Sequence, residues 1–210
     1  MIKILIADDH AIVREGLKQI LAETPDMIVA DEASNGQEVI AKVEKSDFDV
    51  VLLDISMPGR NGIEVLKQLK ADRPRVSVLI LSMYSEEQYA MRALRAGASG
   101  YLTKESAPDE LIDAIRRVSQ GRKYISPSVA EKLAVNLEPG TDKAPHEILS
   151  DREYQVMCMI ASGKTIKEIG DELKLSVKTI STYRSRILEK LDLRNNAALT
   201  HYAIQNRLVE

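Results

Sequence analysis

The segment Val50-Val51-Leu52-Leu53-Asp54 is the most informative stretch for the fold of this chain. Four consecutive apolar residues without polar alternation are typical of a strand that is buried on both faces, as in a parallel sheet covered by helices. A second such run, Val78-Leu79-Ile80-Leu81, follows further along. We therefore expect a parallel sheet between layers of helices.

Outward from these runs, strand-like and helical patterns alternate five times. Gly97 and Gly121 end their helical patterns, and Pro108 suits the first turn of another. Such strict alternation predicts an α/β, doubly wound, five-stranded parallel sheet. The predicted strands are Ile2–Ala7, Met27–Ala33, Val50–Ile55, Ser77–Ser82 and Gly100–Lys104, and the predicted helices are Ala11–Ala22, Gly36–Lys45, Gly62–Ala71, Glu86–Ala96 and Pro108–Gln120.

The remainder of the chain lacks this alternation. One further helix is predicted from Pro127 to Leu137, and the polar, breaker-rich stretch Glu138–Pro145 is typical of a linker. We expect a first domain at residues 1–124, a linker with a helix at 125–147, and a small all-α domain at 148–210. The four helical patterns of that last domain are Ser150–Ser162, Thr165–Leu173, Val177–Leu191 and Asn195–Asn206.

Composition narrows the class of protein. The 210 residues are 44% hydrophobic and 29% charged, which is typical of globular domains. The single cysteine, Cys158, excludes an intrachain disulfide, and its apolar surroundings predict a reduced, buried thiol. The first apolar run, Ile2–Ala7, is too short for a signal peptide or a membrane span, so we expect a cytoplasmic protein.

The charge is distributed unevenly. The formal net charge of −3 divides into −5 for residues 1–147 and +2 for residues 148–210. An acidic first part joined to a basic second part indicates two domains with different partners.

Polar residues stand where the predicted strands end: Asp8-Asp9, Asp54, Ser82 and Lys104. Each has a structural alternative taken singly, as a helix cap, a turn residue or a solvated charge. In a parallel sheet, however, ligands bind beyond the carboxyl ends of the strands, where these groups would converge. Clustered carboxylates suit Mg²⁺, and Lys104 could neutralise a phosphoryl group transferred to a carboxylate nucleophile.

Residues 1–124 resemble the receiver domain of two-component signalling, which implies a flavodoxin-like fold. The resemblance implies that Asp54 is the phosphoacceptor, and that Asp9, Asp54 and the backbone carbonyl of Ser56 bind Mg²⁺ with help from Asp8. It also implies that Ser82 and Lys104 contact the phosphoryl group, that Tyr101 responds to the state of Ser82, and that Ser56 and Tyr84 tune the acyl phosphate lifetime. The matching residues are Asp8-Asp9, Asp54, Ser56-Met57-Pro58-Gly59, Gly62, Ser82, Ala96-Gly97-Ala98, Tyr101 and Lys104.

Two positions depart from the usual receiver pattern. Glu105 stands where proline often follows the lysine, so a cis peptide bond is not predicted there. Ser82 stands where threonine is also common, which is a mild chemical change.

The segment Ser176–Leu191 predicts a two-faced helix. Ser176 is a natural N-cap, and the shorter helix Thr165–Leu173 precedes it across a tight turn. This arrangement predicts a helix-turn-helix whose second helix enters the DNA major groove. The alternative is a helical bundle with a solvated face, but short hydroxyl residues beside cations favour close approach to DNA. The predicted core side is Val177, Ile180, Ile187, Leu188 and Leu191, and the predicted polar side is Lys178, Ser181, Thr182, Ser185 and Arg186.

Residues 148–210 resemble the LuxR-type DNA-binding domain of NarL/FixJ-class regulators. The match rests on Leu149-Ser150-x-Arg152-Glu153, on Gly163-Lys164-Thr165-x-Lys167-Glu168-Ile169, and on Ser176–Leu191. It implies that Ser181, Thr182 and Ser185 approach base edges, whereas Lys178, Thr179, Arg184 and Arg186 mostly contact phosphates. Many members of this family have lysine in place of Ser181, so this chain lacks a strong reader of guanine there.

Three further interpretations concern single features of this chain. We expect Arg152 and Glu153 to form an ion pair that supports the first helix of the second domain. The last helix is a candidate dimer surface, with ordinary packing as the alternative, through Ala198, Leu199, Tyr202 and Ala203. The three histidines are scattered, and we assign none of His10, His146 and His201 as a ligand or phosphodonor.

Together these features predict a response regulator rather than an enzyme, apart from its own phosphoryl transfer and dephosphorylation. A histidine kinase or a small acyl phosphate would phosphorylate Asp54 with Mg²⁺. The resulting change of state would let the second domain move on its linker, dimerise and bind pseudo-palindromic DNA half-sites. One alternative is a DNA-binding or interaction protein whose receiver-like part is a scaffold with an unused Asp54. Another is a hydrolase with a phospho-aspartate intermediate, which needs an aspartate where Ser56 stands.

Overall fold

Continuous apolar runs form the centre of a parallel sheet in the first part of the chain. A computed structural model describes residues 1–127, 129–131 and 144–209. The chain falls into two compact units, Met1–Lys132 and Leu133–Glu210. The sheet of the first unit has the strand order β2-β1-β3-β4-β5, and all neighbouring strands are parallel. This confirms the predicted doubly wound α/β fold.

The strands and helices of the first unit alternate as predicted. β3 and β5 end earlier than expected, so that Asp54 and Lys104 come directly after their strands. After β3 the chain turns, and Ser56 N–H donates a hydrogen bond to Oδ1 of Asp54 at 3.1 Å. The strands are β1 (Ile2–Ala7), β2 (Met27–Ala33), β3 (Val50–Leu53), β4 (Ser77–Ser82) and β5 (Gly100–Thr103), and the helices are α1 (Ala11–Ala22), α2 (Gly36–Lys45), α3 (Gly62–Asp72), α4 (Glu86–Arg95) and α5 (Pro108–Ser119).

The core of this unit explains the unalternated runs. Every residue of β3 and β4 is buried, because helices cover both faces of the sheet. One face packs against α1 and α5 through Leu17, Leu21 and Ile115, among others.

One residue of α1 is not where its pattern was interpreted to lie. The sequence pattern of α1 predicts that Ile12, Leu17, Ile20 and Leu21 share one face of the helix, yet Ile12 is 83% exposed. At about 100° per residue, Ile12 lies on the far side of the helix from Leu21, whereas the partly buried Val13 shares the inner face.

The second unit is helical throughout its described part. No strand occurs in residues 144–209, and four α-helices follow a short 3₁₀ turn, Pro145–Ile148, which was not predicted. The α-helices are α6 (Asp151–Ala161), α7 (Ile166–Leu173), α8 (Val177–Lys190) and α9 (Asn196–Gln205).

Side chains at the helix starts specify these boundaries. Ser150, Thr165, Ser176 and Asn195 each accept a hydrogen bond from a backbone N–H of the first turn that follows. The turn between α7 and α8 is tight, because Leu175 N–H donates to the carbonyl of Gly170 at 2.8 Å. A Cβ at Gly170 would lie only 2.8 Å from the Leu175 carbonyl oxygen, so this turn requires glycine.

The predicted helix from Pro127 is helical at residues 127 and 129–131. Its continuation to Leu137 and residues 138–143 of the predicted linker lie outside the described residues. None of the described helices combines the length and apolarity needed to cross a membrane.

Candidate functional site

Four residues meet where β1, β3, β4 and β5 end, and we call them the strand-end cluster: Asp8, Asp54, Ser82 and Lys104. Asp8 and Asp54 are each 2% exposed, and Ser82 is completely buried. The Lys104 ammonium (Nζ) lies 2.6 Å from Oδ2 of Asp8 and 2.9 Å from Oδ2 of Asp54. The parallel topology thus brings together side chains that are far apart in sequence.

The cluster carries more negative than positive charge. Burial raises the pKa of Asp54, the Lys104 ammonium lowers it, and the Asp8 carboxylate raises it, so that the net shift is upward. Burial would lower the pKa of Lys104, but the carboxylates of Asp54 and Asp8 hold it above its usual value. One ammonium therefore faces two buried carboxylates.

The possible ligand atoms at and beside the strand-end cluster fit a divalent cation. One ligand atom from each of Asp8, Asp9, His10 and Asp54 lies within 4.8 Å of the others. Three of these donors are carboxylates, the hard oxygen ligands that Mg²⁺ prefers. A divalent cation would offset the excess negative charge, and Ser56 lies in the turn directly after Asp54, where its carbonyl could contribute.

His10 was given no role from the sequence, yet it belongs to this neighbourhood. Its Nδ1 lies 3.0 Å from Oδ1 of Asp9 and 3.3 Å from Oδ1 of Asp8, and its side chain is 61% exposed. Its backbone N–H also donates to Oδ1 of Asp8 at 2.9 Å. The available signal was its position directly after Asp8-Asp9.

Tyr101 is connected to the segment that follows Ser82. The Tyr101 hydroxyl donates to the carbonyl of Tyr84 at 2.8 Å, and Tyr84 N–H donates to Oγ of Ser82 at 3.2 Å. Burial raises the pKa of Tyr101, so its hydroxyl remains a donor. The Tyr84 ring stacks on Tyr89 with centroids 4.7 Å apart. Ser82 and Tyr101 therefore both form hydrogen bonds with the loop that follows β4.

Gly62 lies against the backbone of the Asp54 turn. A Cβ there would lie 2.4 Å from the carbonyl oxygen of Asp54 and 2.6 Å from Cα of Ile55. Gly62 N–H donates to the carbonyl of Ile55 at 3.0 Å. Close approach of α3 to this turn explains the glycine of the sequence motif.

In the second unit, α8 separates apolar from polar residues. Ile180 and Ile187 are fully buried and Leu191 nearly so, whereas Leu188 is half-buried. Val177, expected in the core, is 53% exposed because it begins the helix at the turn, where its backbone rather than its side chain lies near Gly170. The polar face of α8 is exposed and consists of Lys178, Ser181, Thr182, Ser185 and Arg186.

The short side chains on this face are held close to the helix. The Thr182 hydroxyl donates to the carbonyl of Lys178 at 3.0 Å, and the Ser185 hydroxyl donates to that of Ser181 at 3.1 Å. Thr179, half-buried, pairs with the Ser176 hydroxyl at 2.8 Å. The helix backbone can therefore approach a partner closely.

Arg184 differs from the other cations of α8. It is half-buried, and its Nε donates to Oδ1 of Asn196 at 2.5 Å, which ties α8 to the start of α9. Lys178 and Arg186, in contrast, project into solvent.

Glu153 is supported by a different cation from the one expected. Its Oε2 lies 2.7 Å from Nζ of Lys190 on α8, while Arg152 donates to Oε1 of Gln155 at 2.7 Å. Burial would raise the pKa of Glu153, but Lys190 and the Ser150 backbone lower it below its usual value. Successive helix residues point in different directions, so neighbours in sequence rarely face each other.

Two of the four residues of the candidate dimer surface on α9 pack inside the second unit. Leu199 and Ala203 are fully buried within the unit. The Tyr202 hydroxyl lies 2.9 Å from Nδ1 of His146 and accepts the His146 backbone N–H at 3.1 Å. Ordinary packing, the alternative interpretation, accounts for Leu199 and Ala203, whereas Ala198 and Tyr202 are partly exposed and the dimer surface stays a prediction.

Comparison with known proteins gives two family matches. Residues 4–116 match the response regulator receiver domain, and residues 147–203 match the bacterial regulatory proteins of the luxR family. The chain is 38% identical over 209 residues to the response regulator UvrY of Escherichia coli K12, covering 99% of this chain and 96% of that protein.

Solved structures of RcsB are also similar. RcsB from Salmonella enterica serovar Typhimurium, bound to promoter rprA in the presence of phosphomimetic BeF3-, aligns with a TM-score of 0.65 at 28% identity. That alignment covers 96% of this chain and 98% of RcsB. A structure of two RcsB dimers bound to two parallel DNAs aligns with a TM-score of 0.59 at 30% identity, covering 97% and 98%.

The receiver match alone covers more than half of the chain, and the relative UvrY aligns along almost all of it. The buried acidic cluster at the strand ends and the exposed polar helix fall within the two matched regions. This chain therefore belongs to the response regulators that join a receiver domain to a LuxR-type DNA-binding domain, a family of transcriptional regulators.

Proposed function

We propose that this protein is a transcriptional regulator in which a sensor histidine kinase phosphorylates Asp54 and thereby controls DNA binding. The observation that carries the proposal is the buried Asp54 carboxylate, which shares the Lys104 ammonium with Asp8 at the carboxyl ends of the strands. Residues 1–124 act as the receiver, 125–147 as the linker and 148–210 as the DNA-binding domain.

Phosphoryl transfer follows from this geometry. An oxygen of Asp54 attacks the phosphorus of a phosphohistidine or a small acyl phosphate, the bond to the leaving nitrogen or oxygen breaks, and an acyl phosphate forms. Lys104 and Ser82 contact the phosphoryl oxygens, where negative charge is concentrated. Mg²⁺, when bound by Asp8, Asp9, Asp54 and the Ser56 carbonyl, supplies charge neutralisation at those oxygens.

Phosphorylation of Asp54 changes the conformation of the loop after β4, which Ser82 and Tyr101 both contact. A phosphoryl group on Asp54 draws the Ser82 hydroxyl toward it, which changes the segment whose Tyr84 carbonyl accepts the Tyr101 hydroxyl. Phosphorylation thus favours one of two pre-existing loop arrangements.

DNA binding uses the polar face of α8, placed in the major groove. Ser181, Thr182 and Ser185 approach base edges, while Lys178, Thr179, Arg184 and Arg186 contact phosphates. Because its Nε is bound to Asn196, we expect Arg184 to contact phosphate less strongly than Lys178 and Arg186 do. A phosphorylated homodimer reads paired half-sites, and the RcsB dimers on DNA support this assembly.

The central test is phosphorylation of the full-length protein with radiolabelled acetyl phosphate and Mg²⁺. Wild-type protein should acquire an acid-labile label, and Asp54→Asn should acquire none. Asp47→Asn, which alters a carboxylate that is 96% exposed, is the matched control and should be labelled as wild type is. Label that persists in Asp54→Asn would refute the assignment, and an unlabelled wild type would favour the scaffold alternative.

A further inference from the structure

Arg14 of α1 connects the ends of β1 and β2, next to Asp8 and Asp9. Its Nη1 donates to the backbone carbonyl of Asp8 at 2.8 Å, and its Nε donates to Oε2 of Glu32 at 3.0 Å. The Arg14 side chain is only 18% exposed. The guanidinium therefore joins the end of β1 to β2 through two directed hydrogen bonds.

The segment that Arg14 holds is the one that carries two of the proposed Mg²⁺ ligands. Asp8 and Asp9 lie between β1 and α1, and the N-cap residue of α1, His10, makes no side-chain capping bond. Asp8 N–H donates to the carbonyl of Ala33 at 3.1 Å, which anchors one side of the segment. Arg14 anchors the same segment from its other side, through the Asp8 carbonyl.

Glu32 keeps the guanidinium in place. Its Oε1 lies 2.7 Å from Nζ of Lys18, so that two cations of α1 share one carboxylate. The hydrogen bond from Lys18 lowers the pKa of Glu32, burial opposes this, and Arg14 adds to the lowering, so Glu32 remains ionised. The plane of the Arg14 guanidinium is thereby set by a charged partner.

We infer that Arg14 is a positioning residue for divalent-cation binding, acting through the Asp8 backbone rather than by touching the ion. This inference rests on the proposed function, because it assumes that Asp8 and Asp9 hold Mg²⁺. Residues that orient metal ligands from behind typically change metal affinity by about 10- to 100-fold when removed. Lysine cannot replace the two-armed contact of a guanidinium.

Lys18 provides a matched control. It lies on the same helix, carries the same charge and pairs with the same carboxylate, but its hydrogen bonds are to Glu15 and Glu32 and not to the Asp8 segment. Electrostatics alone would make Mg²⁺ bind more tightly after either cation is removed, because a nearby positive charge is lost. Positioning predicts weaker binding for Arg14 alone, so the direction of the change separates the two causes.

The experiment is calorimetric titration of Mg²⁺ into full-length wild type, Arg14→Met, Arg14→Lys and Lys18→Met, well below their unfolding temperatures. We expect the Mg²⁺ dissociation constant to rise by about tenfold or more in Arg14→Met and to rise in Arg14→Lys. Lys18→Met should stay within about twofold of wild type. In acetyl phosphate labelling, Arg14→Met should need more Mg²⁺ for the half-maximal rate but reach the wild-type maximum.

Unchanged or tighter Mg²⁺ binding in both Arg14 variants, with normal binding by wild type, would overturn the inference and leave the proposed function intact. Arg14→Lys keeps the test decisive where Arg14→Met does not fold. A wild-type protein that binds no Mg²⁺ would overturn the metal site itself and this inference with it.

Discussion

The strand-end cluster of the first unit and the polar face of α8 in the second are built in opposite ways. The cluster gathers three buried charges and one hydroxyl from four strand ends that are up to 96 positions apart, from Asp8 to Lys104. The polar face of α8 lies within one helix and is exposed along its length. In the buried cluster each charge depends on its neighbours, whereas on α8 each side chain should act nearly independently.

The largest effect should come from adding one carbon beside the Asp54 turn. Gly62→Ala places a Cβ against the backbone of Asp54 and Ile55, which cannot move without displacing the cluster. We expect the free energy of unfolding to fall by about 3 kcal/mol, measured by urea unfolding.

Gly16→Ala is the matched control, because no atom lies within 4 Å of the added Cβ on α1. It should raise the free energy of unfolding by up to about 1 kcal/mol. Equal effects of the two substitutions would show that the Asp54 turn tolerates movement.

Removing a charge from the buried cluster should stabilise the fold. Asp54→Asn leaves Lys104 facing a single carboxylate, Asp8, and we expect about 2 kcal/mol greater stability in EDTA. The gain should shrink in Mg²⁺, because the cation already offsets the charge in wild type. Urea unfolding with and without Mg²⁺ measures both, and a loss of stability in EDTA would contradict the account.

On α8, loss of a cation should weaken DNA binding without affecting the fold. Lys178→Ala and Arg186→Ala should each weaken binding by about tenfold and reduce the slope of log affinity against log salt by about 1. Stability should change by less than about 0.5 kcal/mol, because both side chains are exposed.

Lys45→Ala, an equal change of charge on the exposed side of α2, is the control and should leave the slope unchanged. Titration of duplex DNA at several salt concentrations gives the slopes. Identical slopes for all variants would favour a solvated helical bundle.

The smallest effect is expected from removing Lys190, the α8 cation that pairs with the buried carboxylate of Glu153. Lys190→Met should cost about 1 kcal/mol at pH 7, because Glu153 loses its cation but keeps the Ser150 backbone N–H. The pKa of Glu153 is lowered in the folded state, so its contribution is present above 4.5, its ordinary value, and is lost as the pH falls through the folded-state pKa. Urea unfolding at pH 7 and at a series of pH values below 4.5 should show the variant's deficit shrinking as the pH falls; a constant deficit would exclude this pair as its cause.

Local patterns predicted much of both regions. The caps Ser150, Thr165 and Ser176 and the two sides of α8 follow from short-range rules, as do nearly all helix and strand bounds. The errors occurred where packing outweighs pattern. Ile12 and Val177 are apolar but exposed, and their exposure depends on what the rest of the fold covers rather than on their spacing.

The sequence did not predict which side chains pair with each other in the folded protein. Glu153 binds Lys190 instead of its neighbour Arg152, and His10 lies beside Asp8 and Asp9 although no spacing rule indicates a ligand. The link from Arg14 to the Asp8 carbonyl is likewise invisible in the sequence, since backbone acceptors carry no residue signature.

Residue order alone was sufficient for the parallel α/β sheet, the four-helix second domain and the candidate residues at each strand end. Hydrophobic periodicity and capping are local, and local signals can be interpreted directly. The distances among Asp8, Asp54 and Lys104, the direction of their pKa shifts and the supports behind them came from the folded chain. Burial and charge pairing arise between residues that are distant in sequence, and they exist only once the strands have assembled.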